Sequence, residues 1–167
     1  MSDSVYAALF HQRIDTYARI LFLQRSNGEW WLPGGKKEPE LGTSSQAIRH
    51  IVNNLVTYYD WHPGGIGLWH LSPEAGGGEV RLFEGYVERP DRISIKDSSC
   101  GLTQSLAWMN LWEIHDHLYK HRNIPWGQAK MAVYSLYDLW KNNRRATGEL
   151  LKDDLGEVGD IIWNRPA

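Results

Sequence analysis

The chain has 167 residues, is 42% hydrophobic and carries a formal net charge of −2. That length suits one domain, the apolar content excludes a disordered chain, and the charge leaves no basic footprint for non-specific nucleic-acid binding. A phosphate-bearing small ligand stays open, because a single Arg or a metal ion could neutralise it. The one cysteine, Cys100, has no disulfide partner within the chain, which points to a reducing compartment. No apolar run reaches membrane-spanning length. The start, Met1-Ser2-Asp3-Ser4, lacks a basic region followed by an apolar stretch, so no leader is expected and a soluble, cytoplasmic protein is. Nine Trp is a surplus for this length, and such surpluses fall at stacking sites or interfaces as well as in cores.

In chain order, Val5 to Phe10 and Ala18 to Arg25 are apolar runs that predict two strands, with turn residues Ser26-Asn27-Gly28-Glu29 after the second. Trp30-Trp31-Leu32 continues as strand until Pro33-Gly34-Gly35, which is expected to break it and free the backbone. Ala47, Ile48, Ile51, Val52 and Leu55 then recur at helical spacing. Thr43 and Gln46 have capping-box spacing, so a helix over 43–57 is predicted. Its other face carries Arg49, His50, Asn53, Asn54 and Thr57. Pro63-Gly64-Gly65 reads as a loop, and 66–71 and 79–88 as two strands joined by a turn holding Gly76-Gly77-Gly78. Residues 89–101 are polar and irregular. A strand over 105–111, a short helix over 112–121 and a longer helix opened by Ile124-Pro125-Trp126 follow. The order predicts one α/β (α+β) domain over residues 1–140, a mixed sheet sandwiched between helices. Residues 141–167 form a C-terminal extension. Its Ile161-Ile162-Trp163 is expected to dock on the domain or on a second copy, as in a homodimer.

The stretch from Trp30-Trp31-Leu32-Pro33-Gly34-Gly35-Lys36-Lys37-Glu38 through the helix resembles the Nudix box. That family pattern runs Gly, five residues, Glu, seven residues, then Arg-Glu-aliphatic-x-Glu-Glu-x-Gly. Counted from Gly35, Leu41 stands at the first Glu, Arg49 matches the Arg and Ile51 the aliphatic position. His50, Asn53 and Asn54 stand where the helix glutamates belong, and Val56 where the final Gly belongs. The resemblance implies a Nudix fold, with a catalytic site that grips a diphosphate through Mg²⁺ or Mn²⁺. Helix positions three and four apart share a face, so the trio keeps the geometry of a ligand set without its charge. Hard divalent cations want anionic oxygens, whereas a neutral His suits softer metals.

The resemblance therefore implies two readings. In one, the fold recognises a nucleotide or another diphosphate-bearing ligand, with Mg²⁺-dependent pyrophosphohydrolase activity weak or lost and no metal cofactor required. Here Trp30, Trp31, Gly34, Gly35 and Arg49 are the ligand-binding residues, one Trp facing the core and the other the pocket by strand alternation. In the other, the chain is a divergent active hydrolase. Glu38, His50, Asn53 and Asn54 then hold the metal, and Glu38, Glu40, Arg49 and Glu113 act in catalysis, with Glu113 or Asp116 as general base. Glu40 falls one residue short of the expected Glu. Arg49 is expected either to pair with Glu38 or Glu40 or to bind phosphate. The cluster His115, Asp116, His117 and His121 has spacing compatible with a metal but reads more simply as a polar helix face. The glycine run reads as a hairpin tip rather than a phosphate cradle.

Overall fold

The computed structural model describes residues 3–11, 18–57, 61, 63–70, 77–96 and 103–141. Cys100, Gly76 and the apolar triplet Ile161-Ile162-Trp163 lie outside the described residues. Strands β1 (Ser4–His11), β2 (Arg19–Arg25), β3 (Trp30–Trp31), β4 (Gly34–Lys36), β5 (Gly64–His70), β6 (Glu79–Tyr86) and β7 (Thr103–Met109) form one mixed sheet. Helix α1 (Ser44–Leu55) covers one face, and α2 (Leu111–Tyr119) and α3 (Trp126–Lys141) cover the other.

The sheet separates two apolar clusters because alternate residues of a strand point to opposite faces. Val5, Ala7 and Leu9 of β1 pack with Ala47, Ile48 and Val52 of α1. Tyr6, Ala8 and Phe10 pack with Ile114, Ala132 and Leu136 of the other two helices. Helix α1 begins where a capping box starts it: Gln46 N–H donates to Thr43 Oγ1 at 3.2 Å, and Thr43 N–H donates to Gln46 Oε1 at 2.9 Å. Its polar face of Arg49, His50, Asn53 and Asn54 is exposed. Helix α2 uses the same device, with Asn110 and Glu113 exchanging bonds of 2.9 and 3.1 Å.

Three expected boundaries shift. The Gly64-Gly65 pair belongs to β5 rather than to a loop, with the register slipping between Gly65 and Gly67. The strand expected to run to Leu111 ends at Met109, where Asn110 caps α2. The third difference shapes the molecule. The Pro33-Gly34-Gly35 element does not end strand structure; Gly34–Lys36 pairs antiparallel with β1, Gly34 opposite Tyr6 and Lys36 opposite Ser4.

That pairing follows from a fork in the sheet. Strands β1 and β2 pair only at Phe10–Ile20 and His11–Arg19. Past that point they separate, and residues 30–36 fill the opening. Trp30 and Trp31 pair with Gln24 and Leu23 of β2. Ala7 N–H then donates to Pro33 O at 2.8 Å, and β4 takes over on β1. Gly34 makes the crossing feasible. Its φ is +153°, and a Cβ there would sit 2.2 Å from Val5 O. Only glycine lets the two backbones come so close.

Candidate ligand-binding site

At the open end of the fork lies a cavity of about 400 Å³ lined by Leu23, Arg25, Ser26, Asn27, Trp31, Leu32, Gly34, Leu55 and Thr103. Its size falls within the range of small-ligand pockets. Leu23, Leu32 and Leu55 supply apolar wall. Ser26, Asn27 and Thr103 supply hydroxyl and amide groups. Among the described residues the lining contains one formal charge, that of Arg25.

Arg25 closes β2 and is half-buried. Its guanidinium carbon stands 3.5 Å from the centroid of the Trp31 ring, a close cation–π stack. The indole N–H of Trp31 donates to Glu29 Oε1 at 3.4 Å, and the same oxygen accepts from Asn27 Nδ2 at 2.9 Å. Behind the indole, the Tyr6 ring lies 6.2 Å away and tilted. Tyr6 is almost fully buried, which pushes its phenol above the ordinary value of 10.0; the charge of Arg25 and hydrogen bonds with the side chains of Gln128 and Ser4 oppose that rise. Gln128, buried on α3, also accepts the Leu32 N–H at 2.9 Å. Helix α3 thereby fixes the segment that carries Trp31.

The residues singled out in the sequence fall in separate places. Trp31 and Gly34 line the cavity. Trp30 does not: its backbone N–H donates to Asn123 O at 2.8 Å, and its ring lies edge-on to His117 at 6.0 Å. Gly35, at φ +156°, follows in β4. Glu38 and Glu40 are exposed around the 3₁₀ turn Pro39–Leu41. Arg49 is exposed, and among the described residues it forms no ion pair, so the pairing expected with Glu38 or Glu40 is not made. His50, Asn53 and Asn54 share the exposed face of α1 and do not line the cavity, whereas Leu55 of the same helix does.

Glu113 stands apart from all of these. It caps α2 and forms a 3.0 Å ion pair with Arg19. Arg19 is six residues from Arg25 along β2, about 20 Å at the rise of a strand. A base at Glu113 is therefore remote from the cavity, and Asp116 lies further along α2. His117 is likewise engaged, its Nδ1–H donating to Asn123 Oδ1 at 2.8 Å. Among the described residues no three His, Cys, Asp or Glu side chains converge as metal ligands.

The α1 face does not fit a resident Mg²⁺ or Mn²⁺. Asn54 Nδ2 lies 3.1 Å from His50 Nε2, so an amide N–H is directed at the imidazole lone pair that a metal would need. Asn53 adds a neutral donor, and no carboxylate stands among the residues of this helix. Hard cations are held by anionic oxygens, and a His–Asn hydrogen bond supplies none.

Arg25 was not singled out by the sequence reading. The available signal was a polar pair, Gln24-Arg25, closing an otherwise apolar strand beside a turn, and many surface strands end that way.

No protein-family model matches the sequence, and no curated protein sequence matches it. Solved structures do. The Nudix domain of Shewanella oneidensis NrtR, crystallised with ADP ribose, aligns with a TM-score of 0.64 at 14% identity over 82% of this chain and 87% of that one. A MutT protein from Methanosarcina mazei aligns at 0.61 and 20% identity, covering 86% and 96%. An Ap4A hydrolase of C. elegans, solved as a binary complex, aligns at 0.59 and 13% identity, covering 83% and 99%. The likeness is one of architecture, and the chain has the Nudix fold.

Proposed function

We propose that this Nudix-fold chain recognises a nucleotide or another diphosphate-bearing small molecule, and that it hydrolyses the usual Nudix substrates slowly or not at all. One observation carries the second half: the helix face that would clamp a metal presents His50, Asn53 and Asn54, with His50 and Asn54 bonded to each other at 3.1 Å. Electrostatic stabilisation of developing charge commonly contributes more to catalysis than any other effect, and losing one well-placed group costs about 10²–10³ in rate. Loss of a coupled set costs more, though not additively. Recognition does not depend on those positions. The cavity is bounded by Trp31, Arg25 and the polar groups of Ser26, Asn27 and Thr103, and the architectural neighbours include domains solved with ADP ribose and named for Ap4A.

The test is a pair of measurements on the full chain. Calorimetry with ADP-ribose is expected to give saturable binding, while product assays with Mg²⁺ or Mn²⁺ show turnover far below the roughly 1–10³ per second of working enzymes. Restoring the box with His50→Glu, Asn53→Glu and Asn54→Glu together is expected to create Mg²⁺-dependent hydrolysis absent from the parent. Turnover in the working range by the unaltered chain would instead establish a divergent hydrolase with Glu38, Glu40 or an unassigned base in its chemistry.

A further inference from the structure

The cavity at the end of β2 contains a cation with no counter-charge among the described residues. Arg19 has Glu113 at 3.0 Å and Arg81 has Glu79 at 3.8 Å. Arg25 is half-buried and, among the described residues, has no carboxylate within ion-pair distance. Glu29, the nearest acid in sequence, directs Oε1 to the Trp31 indole and the Asn27 amide instead. No acidic residue lines the cavity among those described. Taking a charge partly out of water without a partner is costly, and an anion placed in the cavity would remove that cost.

The geometry suits a phosphate. The contact with Trp31 is made through the guanidinium carbon, and among the described residues no hydrogen bond engages the N–H edge, so that edge can donate to a ligand. That edge matches two phosphate oxygens at once, which a lysine ammonium cannot do. The stack also holds the fork in place before the ligand arrives, so less side-chain entropy is lost on binding.

From this we infer that the cavity binds its ligand without a metal ion, Arg25 supplying the positive charge while it remains stacked on Trp31, and that it prefers a diphosphate diester to a triphosphate. The inference rests on reading the cavity as the ligand pocket. The preference follows from charge. A diphosphate diester carries two negative charges and a free nucleoside triphosphate about four near neutral pH. One guanidinium with hydroxyl and amide neighbours offsets the first far better than the second, and the α1 face offers no metal to make up the difference.

The experiment is calorimetry on the full chain in EDTA and again in excess Mg²⁺, with ADP-ribose, ATP and inorganic pyrophosphate as probes. ADP-ribose affinity is expected to change less than about twofold between the two conditions, and ATP in EDTA to bind at least about tenfold more weakly. Arg25→Ala is expected to weaken ADP-ribose about tenfold or more, the scale of a lost charge-assisted pair. Arg25→Lys, which keeps the charge and loses the fork, should fall between. Circular dichroism and melting curves confirm that both variants fold. Binding of ADP-ribose that needs Mg²⁺ and survives Arg25→Ala would overturn the inference and leave the proposed function standing. Pyrophosphate binding in EDTA that disappears in Arg25→Ala, with no ADP-ribose binding, would leave Arg25 as a metal-free phosphate contact but overturn the diester preference and the nucleotide reading together. No binding of any probe would overturn both.

Discussion

Strand β2 carries an arginine at each end, and the two are used differently. Arg19 is exposed and paired with Glu113, so its charge is balanced by the protein and ties β2 to the start of α2. Arg25 is half-buried, its guanidinium carbon 3.5 Å from the centroid of the Trp31 ring beside a cavity, with no carboxylate in reach among the described residues. Arg19 has its counter-charge inside the fold, whereas Arg25 is placed to take one from outside. The same contrast separates the carboxylates: Glu113, which looks like a base in the sequence, is engaged in structure.

The largest way to break the Arg25 end is to remove the glycine that shapes it. Gly34→Ala puts a Cβ 2.2 Å from Val5 O at a positive φ, so β4 must leave β1. A loss of about 3 kcal/mol or more is expected, about 6–12 °C in melting temperature for a domain of this size. A melting curve within about 2 °C of the parent, less than 1 kcal/mol is worth here, would show that the fork tolerates a side chain.

A smaller effect is expected one layer behind. Tyr6→Phe removes a buried hydroxyl bonded with Gln128 and Ser4, a loss of about 1 kcal/mol near neutral pH. It also alters the alkaline limb of stability. The Tyr6 phenol titrates above its ordinary value in the folded chain, so the unfolded chain gives up that proton first. Its contribution is whole below about pH 10 and is lost as pH rises through the folded value. Denaturant melts above about pH 10 should therefore fall less steeply for Tyr6→Phe than for the parent.

The smallest effects on stability sharpen the comparison most. Arg19→Ala breaks an exposed pair and is expected to cost less than about 1 kcal/mol while leaving ADP-ribose affinity unchanged. Arg25→Ala gives up the contact with Trp31 and is expected to cost about 0.5–1 kcal/mol, while weakening the ligand. Matched melts and titrations of the two variants read this directly, and equal losses of ligand affinity would erase the distinction.

What could be read from the sequence was set by local chemistry. Thr43 and Gln46 marked the start of α1 because a capping box is written within four residues, and the 3.6-residue period of Ala47, Ile48 and Val52 marked its buried face. The strand runs were legible for the same reason. Strand β4 was not, because its partner is β1 and nothing around Gly34 reveals a backbone passing that close. Arg25 carries no local mark in the sequence, because its meaning depends on having no carboxylate beside it among the described residues, and that is a property of the folded neighbourhood. Glu113 shows the opposite limit: a carboxylate at the third position of a helix is chemically the same residue whatever its use, and only the fold shows that it caps α2 and pairs with Arg19. The neutral trio His50, Asn53 and Asn54 was visible by spacing alone, but the hydrogen bond between its first and last members needed the helix in three dimensions.

The fork in the sheet also bears on how the chain reaches its fold and how it opens. Strand β1 is parallel to β6 from Ser4–Val80 to Phe10–Tyr86, joining distant parts of the sequence. Its other edge is taken by β4, then by Pro33 O, then by β2. Few of its amides can be released without separating several segments at once. Hydrogen exchange along Val5 to Phe10 should therefore follow global unfolding, while β5, bonded on one side only among the described strands, exchanges through local opening. Parallel pairing across so much chain also delays the contacts that reward it, so folding should be governed by the capture of β1 against β6. Strand β1, made before every other described strand, would then be among the last to find its full set of neighbours.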